Sequence, residues 1–395
     1  MYQKFTYGRY FNMDKIIGTN LGNWLVLEKW MQPFIFKGTR AEDETWLNRN
    51  VPQEKLWPMM KEHRDTYVTE EDFQNIASHG LNTVRIPVPY FIFGDREPYS
   101  GCIEYLDKAF DWAGKYGLKV LVDLHTAPGG QNSYDNGGIE GVCKWSQQPD
   151  EVEFVLTVLE RLAMRYRDRE ELFGIEVLNE PISFSVYMTA PSRKKAADKE
   201  EAKGSRHVSS RFLKKFYVQA YGRLRKILPE EKVIVFHDGF RLGMWKDFFV
   251  KHHMKNVMID THIYIQAMED VTHIHSFWAY RAFIAYQQHL LKKAQKYTPV
   301  FVGEWCVCNE LADKKKGHEV IRDEYEDYRK KWYRKAAVLQ LNAWKDTAGF
   351  FYWNYQLYRD KEVPMYATRL DSWDLCRCWK KGWMPVRTDR FMEKL

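Results

Sequence analysis

Short, nearly continuous apolar runs alternate along this chain with longer stretches whose apolar residues recur every three or four positions. The runs fall at 15–20, 83–87, 119–125, 172–179, 232–237, 257–262, 300–304 and 349–353. They are rich in β-branched and aromatic residues, and most lack the polar alternation of a half-exposed strand. They therefore read as strands covered on both faces. Segments of helical period lie between most of them, at 69–79, 103–116, 151–166, 211–228, 273–297 and 323–344. Thr69 followed by Asp72 has the spacing of a capping box, and Gly80 and Gly117 stand just past helix ends. The link between the fifth and sixth runs, around 241–249, is shorter.

Eight strands with seven intervening segments, at about 30 residues per unit, predict an α/β chain closed into one (β/α)8 barrel over 1–395, a TIM barrel. An open doubly wound sheet is the alternative, but it does not explain why polar residues stand at the C-terminal end of nearly every run. No linker and no internal repeat divides the chain. Two loops on the face bearing those ends are enlarged, at about 31–62 and 183–210. The first has Trp30 at its edge and carries Trp46 and Trp57. Within the second, 192–210 is crowded with Lys, Arg, Glu, Ser and Ala and reads as a solvated charge run.

The chain has 395 residues, 45% of them hydrophobic, which is ample for one large core. Its 15 Trp, 24 Tyr and 23 Phe suit the C–H faces of sugars, though they fill cores equally well. A net charge of +7 is interleaved with acidic residues, and no basic arm or nucleic-acid motif is present, so nucleic acid is not the expected partner. No stretch is long and apolar enough to cross a bilayer, and none is expected to engage a membrane. Residues 1–9 lack the apolar core and cleavage site of a leader, which together with the starting Met and six Cys makes a cytoplasmic protein the expectation. Cys306/Cys308 and Cys376/Cys378 form Cys-x-Cys pairs. In Trp305-Cys306-Val307-Cys308 they read as alternating positions after a strand, and no metal or cofactor is expected.

Two runs end on a glutamate: Ile175-Glu176-Val177-Leu178-Asn179-Glu180 and Val300-Phe301-Val302-Gly303-Glu304. A carboxylate at the end of a parallel barrel strand is poorly placed for packing and well placed for chemistry. Two of them can serve as the acid and nucleophile of a retaining glycosidase, whose carboxyl groups stand about 5–5.5 Å apart. The remaining strand ends supply Asn20, Arg85, His125, Asn179, His237, His262, Tyr264 and Trp353. An arginine beside one carboxylate holds it ionised. His and Tyr donate to carboxylates or sugar hydroxyls, and Trp forms a floor under a sugar ring.

The motifs resemble glycoside hydrolase family 5 of clan A, and within it the branch of exo-β-1,3-glucanases and β-glucosidases. The resemblance rests on Gly18–Glu28, Val84-Arg85-Ile86-Pro87, Asp123–Asn136, Leu178-Asn179-Glu180-Pro181, His262-Ile263-Tyr264 and Gly303-Glu304-Trp305. It implies Glu180 as general acid/base and Glu304 as nucleophile, with Asn179 bonding the sugar 2-hydroxyl. It also implies Arg85, His125, His262 and Tyr264 around the pair, Trp353 stacking in the innermost subsite, and Glu28, assisted by Asp135, gripping the outer hydroxyls of a terminal sugar. The expected reaction removes a terminal β-linked hexose, gluco- or manno-configured, from an oligosaccharide. A β-mannosidase, an endo-glycanase with an open cleft and a non-catalytic carbohydrate-binding barrel are the alternatives. Lys29 stands where that branch usually has Pro, and Ile265-Gln266-Ala267 lacks its aromatic clamp. On this reading Arg85 holds Glu304 ionised, Glu304 in turn raises Glu180, and replacing Arg85 leaves the fold largely intact.

Overall fold

The computed structural model describes residues 15–313, 322–357 and 369–394. The N-terminal stretch on which the leader expectation rests lies outside the described residues. Eight strands, β1 (Ile16–Asn20), β2 (Thr83–Val88), β3 (Lys119–Leu124), β4 (Leu172–Glu176), β5 (Val233–His237), β6 (Val257–His262), β7 (Val300–Trp305) and β8 (Gly349–Tyr352), form a closed barrel in sequence order. Every neighbouring pair is parallel, including β1 with β8, and that last pairing excludes the open sheet.

Nearly every strand residue is buried, as the absence of polar alternation requires: the helices cover the barrel outside and side chains fill it inside. The lower interior is an apolar plug of Ile16, Leu121, Phe173, Val233, Val235, Met258, Phe301 and Phe351. Above it the inward positions turn polar, with Arg85, Asp123, Glu176 and Asp260 all fully buried. A much larger apolar cluster joins the strands' outer faces to the helices.

Helices form at Glu70–Ser78, Ile103–Tyr116, Pro149–Tyr166, Ser210–Leu224, Phe277–Ala294 and Arg322–Trp344, within a few residues of the periodic segments. The capping box at Thr69 is present: its backbone N–H donates to Asp72 at 2.7 Å. Gly117 closes its helix with φ +69°, the left-handed conformation glycine adopts without strain. The helix expected at 273–297 starts four residues later because His273 turns left-handed (φ 55°) and Ser276 caps Ala279. The short link after β5 holds only Leu242–Trp245 and Phe248–Lys251. Among the described residues no helix is long and apolar enough to cross a membrane.

The two enlarged loops interlock above the barrel. Residues 31–62 contribute the helix Glu44–Asn50, whose cap Asp43 accepts from the backbone of Trp46 and of Glu140. Arg49 pairs in two-pronged fashion with Glu201, and Lys144 Nζ donates to the Glu201 carbonyl. Although its lysines are solvated, 192–210 is laced to the loop after β3 by Ser133–Ser192, Ser205 to Cys143 N–H, and Arg206 N–H to the Cys143 carbonyl. It is a wall of the catalytic face, a role its composition does not reveal.

Candidate active site

Arg85 is the hub. It sits at the third position of β2, within the barrel and wholly buried. Its Nε donates to Glu176 at 2.8 Å, Nη1 to Asn20 Oδ1 at 2.9 Å and Glu304 Oε1 at 3.0 Å, and Nη2 to Asn179 Oδ1 at 2.9 Å. Asp123 lies 3.1 Å from Nη2 and Asp260 3.6 Å from Nε. Burial works against the guanidinium, and the carboxylates of Asp123, Glu176, Glu304 and Asp260 outweigh it, so the side chain is held firmly charged. Burial keeps Glu176 well above the ordinary carboxylate value in spite of Arg85.

Glu304 comes from β7, one residue after Gly303. A Cβ at Gly303 would lie 2.0 Å from the Asp260 carboxylate, which instead accepts the Gly303 N–H at 2.7 Å. The two oxygens of Glu304 are held separately, Oε1 by Arg85 and Oε2 by the Tyr264 hydroxyl at 2.7 Å. Glu180 does not end a strand as expected: β4 stops at Glu176. Val177 and Asn179 still donate to the Val235 and Leu124 carbonyls, and Glu180 then turns to φ 45°. A non-glycine residue there costs about 1–3 kcal/mol and persists where its surroundings over-determine it.

Gln131 is such a brace. Wholly buried, it accepts from Ala127 N–H and donates to the carbonyls of His125 and Asn179, while its own carbonyl takes the Ile182 N–H. The elbow aims Glu180 so that Oε1 accepts from His262 Nδ1 at 2.7 Å and Oε2 from Asn136 Nδ2 at 3.1 Å.

His262 Nδ1 also stands 3.3 Å from Glu304 Oε2. One nitrogen therefore spans both carboxylates. Laid end to end, those two contacts fall short of the ~6.5 Å at which the inverting arrangement begins. The imidazole decides the protonation balance. Burial drives Glu180 up, but the hydrogen bond and charge of His262 outweigh it and leave the group lowered. For Glu304 burial prevails over His262 and Arg85, and the group is raised. Burial opposes the charge on His262, yet Glu304, Asp260 and the bond to Glu180 raise it well above the ordinary value. This reverses the order expected from sequence, because that expectation weighed Arg85 and the mutual repulsion without the imidazole between the two carboxylates.

The opposite wall is built from His125, Asn179 and Trp353. His125 Nδ1 donates to Asp123 at 2.5 Å, which leaves Nε2 to accept from Asn179 Nδ2 at 3.4 Å. With its oxygen on Arg85 and one N–H on His125, the Asn179 amide keeps a second N–H for a ligand. Trp353 lies parallel to the His125 ring at 5.7 Å. A Cβ on Gly22 would come within 2.6 Å of the Trp353 ring, so the loop after β1 must be bare there.

Farther out, Glu28 is 4% exposed and accepts from Trp30 Nε1 at 2.8 Å, while its Oε1 has no partner among the described residues. Burial and then Asp135 hold it well above the ordinary value. Asp135 itself is pushed up to about 6 by burial, then by Glu140. Its neighbour Asn136, absent from the expected set, is the residue of this loop that reaches Glu180. Lys29 takes no part in the site and pins the following loop through the Ala41 carbonyl and Glu42.

The structure thus gathers Glu180, Glu304, Arg85, Asn179, His262 and Tyr264 into one hydrogen-bonded cluster joined by His125, with Trp353 flanking it. Asp123, Gln131, Asn136, Glu176 and Asp260 belong to the same network and were not singled out from sequence. Glu176 closes β4 and Asp260 lies within β6, and in both a lone acidic residue in an apolar run gives no periodic signal.

His237, at the end of β5, packs edge-on against His262 at 4.4 Å. Among the described residues, Glu180, His237 and His262 bring ligand-type atoms close enough to share an ion. They do not fit one in this arrangement. His237 Nδ1 accepts the Gly239 N–H at 2.9 Å, so Nε2 carries the proton and neither nitrogen has a free lone pair.

A family model described as "Cellulase (glycosyl hydrolase family 5)" matches residues 50–357. Over 304 residues the chain is 39% identical to a probable glucan 1,3-beta-glucosidase A of Emericella nidulans, covering 74% of this chain and 67% of that one. It is 34% identical over 311 residues to a glucan 1,3-beta-glucosidase of Blumeria graminis, covering 75% and 65%. The match spans about two thirds of the length of these curated relatives. Among solved structures, a rutinosidase from Aspergillus niger superposes with a TM-score of 0.73 at 20% identity, covering 95% of this chain and 99% of that one. At that identity the likeness is one of fold.

Proposed function

The chain belongs to glycosyl hydrolase family 5 and is a glycoside hydrolase, and from that premise we propose a retaining exo-β-glucosidase that removes terminal β-linked glucose from oligosaccharides. The observation that carries the reading is the sharing of one His262 nitrogen by Glu180 and Glu304, at 2.7 and 3.3 Å.

Glu304, its oxygens steadied by Arg85 and Tyr264, attacks the anomeric carbon as Glu180 protonates the glycosidic oxygen. The C–O bond to the leaving group breaks and a glycosyl ester of Glu304 forms. Glu180, now ionised, takes a proton from water, the water oxygen attacks the same carbon, and Glu304 leaves. Two inversions give net retention. The free N–H of Asn179 donates to the sugar 2-hydroxyl, a contact that strengthens as the oxocarbenium-like transition state develops. Trp353 stacks against the sugar ring. The unpartnered Oε1 of Glu28, with Asp135 behind it, accepts from outer hydroxyls and closes the pocket behind one sugar. Glucose is the proposed sugar because the relatives matched are glucan 1,3-beta-glucosidases by name. The six cysteines stand as free thiols, five of them buried, a state that suits a reducing, cytoplasmic compartment.

The test is digestion of reducing-end-labelled β-1,3-gluco-oligosaccharides alongside aryl β-glucosides and β-mannosides. Single glucose units should leave from the non-reducing end with retained configuration, and Glu28→Ala should lower kcat/KM strongly, since a site built for hydroxyls loses its grip without their partner. Mid-chain cleavage as the first event, or preference for the mannoside, would defeat the proposal.

The pH profile of kcat/KM should be a bell. Its acid limb is protonation of Glu304, whose raised value puts that limb above the ordinary carboxylate value of 4.5. In the free enzyme the proton needed by the leaving group rests on the His262 side of the Glu180 bond. His262 is raised well above 6.5, so the alkaline limb, loss of that proton, lies above 6.5 as well. His262→Asn removes this reservoir and should move the alkaline limb to lower pH. An unmoved limb would show that the proton is held elsewhere.

A further inference from the structure

We propose that Trp373 is a positioning residue for the reaction: its ring holds Tyr264 in the orientation that keeps the Tyr264 hydroxyl on Glu304. The inference rests on the double-displacement part of the reading above, and not on which hexose is removed.

Tyr264 needs such a partner. It follows β6, at the cap of the helix Ile265–Thr272, and its hydroxyl donates to Glu304 Oε2 at 2.7 Å. That hydroxyl stands at the far end of a ring that swings about two side-chain bonds, so a small rotation carries it away from the carboxylate. Among the described residues, Trp373 supplies the one aromatic ring in contact with the Tyr264 ring. The two centroids are 5.1 Å apart and the planes are inclined by 40°.

Trp373 is itself held from several directions. Its ring also meets that of Trp30 edge-on at 5.5 Å, and Trp30 Nε1 is committed to Glu28 at 2.8 Å. With Trp30 and Tyr264 it packs on the buried cluster of Met31, Trp353 and Leu357. Its main chain is pinned to the end of β8. The Trp373 carbonyl accepts from Asn354 N–H at 2.7 Å, and the carbonyl of Ser372 accepts from the Tyr352 hydroxyl. A ring fixed in this way cannot follow a drifting tyrosine, and it acts as a stop for one. Misplacing a group at a reacting centre by about 1 Å costs on the order of 10²-fold in rate, so such packing is felt in catalysis.

A double-mutant cycle tests this, run on the aryl β-glucoside or β-mannoside, whichever the parent enzyme cleaves faster. Tyr264→Phe removes a hydrogen bond to a charged group and should lower kcat/KM about ten- to a hundredfold. Trp373→Ala should lower it by about tenfold. The double variant should be no slower than Tyr264→Phe alone, because both changes remove one interaction. Either single variant should also move the acid limb of kcat/KM to higher pH, since Glu304 loses a donor to its ionised form. The charged groups facing Glu304, namely Arg85, His262, Glu180, His125 and Glu28, are replaced in none of these proteins. Trp373→Phe keeps a ring and should restore most of the rate and the limb. Trp373→Leu keeps more of the packing and enters the same cycle, with the same expectation, where Trp373→Ala does not fold. A merely structural role would lower the melting temperature and leave the limb in place, and that result overturns the proposal. Losses that multiply in the double variant overturn it as well, since Trp373 would then act independently of Tyr264. Cleavage of the mannoside alone defeats the glucose assignment and leaves the cycle decisive. Cleavage of neither glycoside defeats the exo-glycosidase reading, and the role of Trp373 with it.

Discussion

Glu304→Ala should lose activity by on the order of 10⁵–10⁶, the scale on which removal of a covalent nucleophile is felt. Glu180→Ala should lose about 10²–10⁴ on natural glycosides, the usual contribution of a general acid, and far less on aryl glycosides whose leaving groups need little protonation. The two variants are separated by azide. With Glu180 truncated, the glycosyl ester still forms, and azide attacks it to give a β-glycosyl azide of retained configuration. With Glu304 truncated, azide enters the vacated space and attacks the substrate directly, giving the inverted α-azide. Product configuration read by NMR assigns the roles, and a β-azide from Glu304→Ala would exchange them. The geometry behind the assignment is the separate clamping of each oxygen of Glu304 by Arg85 and Tyr264, a posture for attack. Glu180 is held instead by the uncharged amide of Asn136 and by His262, a group that can pass it a proton.

Arg85→Ala should destabilise the protein by about 3–5 kcal/mol, the cost of removing one side of a buried charge network. The expectation from sequence was an intact fold. The structure argues against it, because Arg85 is wholly buried and its removal leaves Glu176 and Asp123 without its guanidinium, and Asp260 and Glu304 with His262 as their remaining cation. The sign of the pH dependence follows. Glu176 and Glu304 are already raised in the folded state, and losing Arg85 raises them further. A carboxyl group raised on folding is least costly where it is protonated in both states. It becomes more costly as pH climbs from its unfolded value toward its folded one. The deficit of Arg85→Ala should therefore be small near pH 4 and larger at neutrality, as read by denaturant unfolding at several pH values. A constant deficit would show that lost packing is responsible. The acid limb of any residual activity should move to higher pH.

Much of the fold was legible because its signals are local. A strand covered on both faces needs a continuous apolar run, and each run gave a strand in the observed order. The helix starts also followed local chemistry, as at Thr69. Arg85 and Glu304 were both recognisable as site residues, since a charged side chain in an otherwise apolar run must have a partner. Glu176 and Asp260 meet the same criterion and were passed over, because each lies inside its run, where only closure of the barrel shows that it faces Arg85. Gln131 and Asn136 were hidden in a polar loop, in which any residue is unremarkable until its partners are known.

By itself, then, the sequence determined an eight-stranded parallel barrel and singled out the two carboxyl groups that the barrel brings together, since apolar periodicity and the ends of buried runs are written residue by residue. Tertiary structure decided the rest. The left-handed turn at Glu180, braced by Gln131, sets where its carboxyl group points. His262 between Glu180 and Glu304 inverts their expected protonation order. The lacing of 192–210 to the loop after β3 turns a charge run into a wall. Each of these depends on groups far apart in sequence meeting in a buried, weakly screened space, where a contact of about 3 Å outweighs any local propensity.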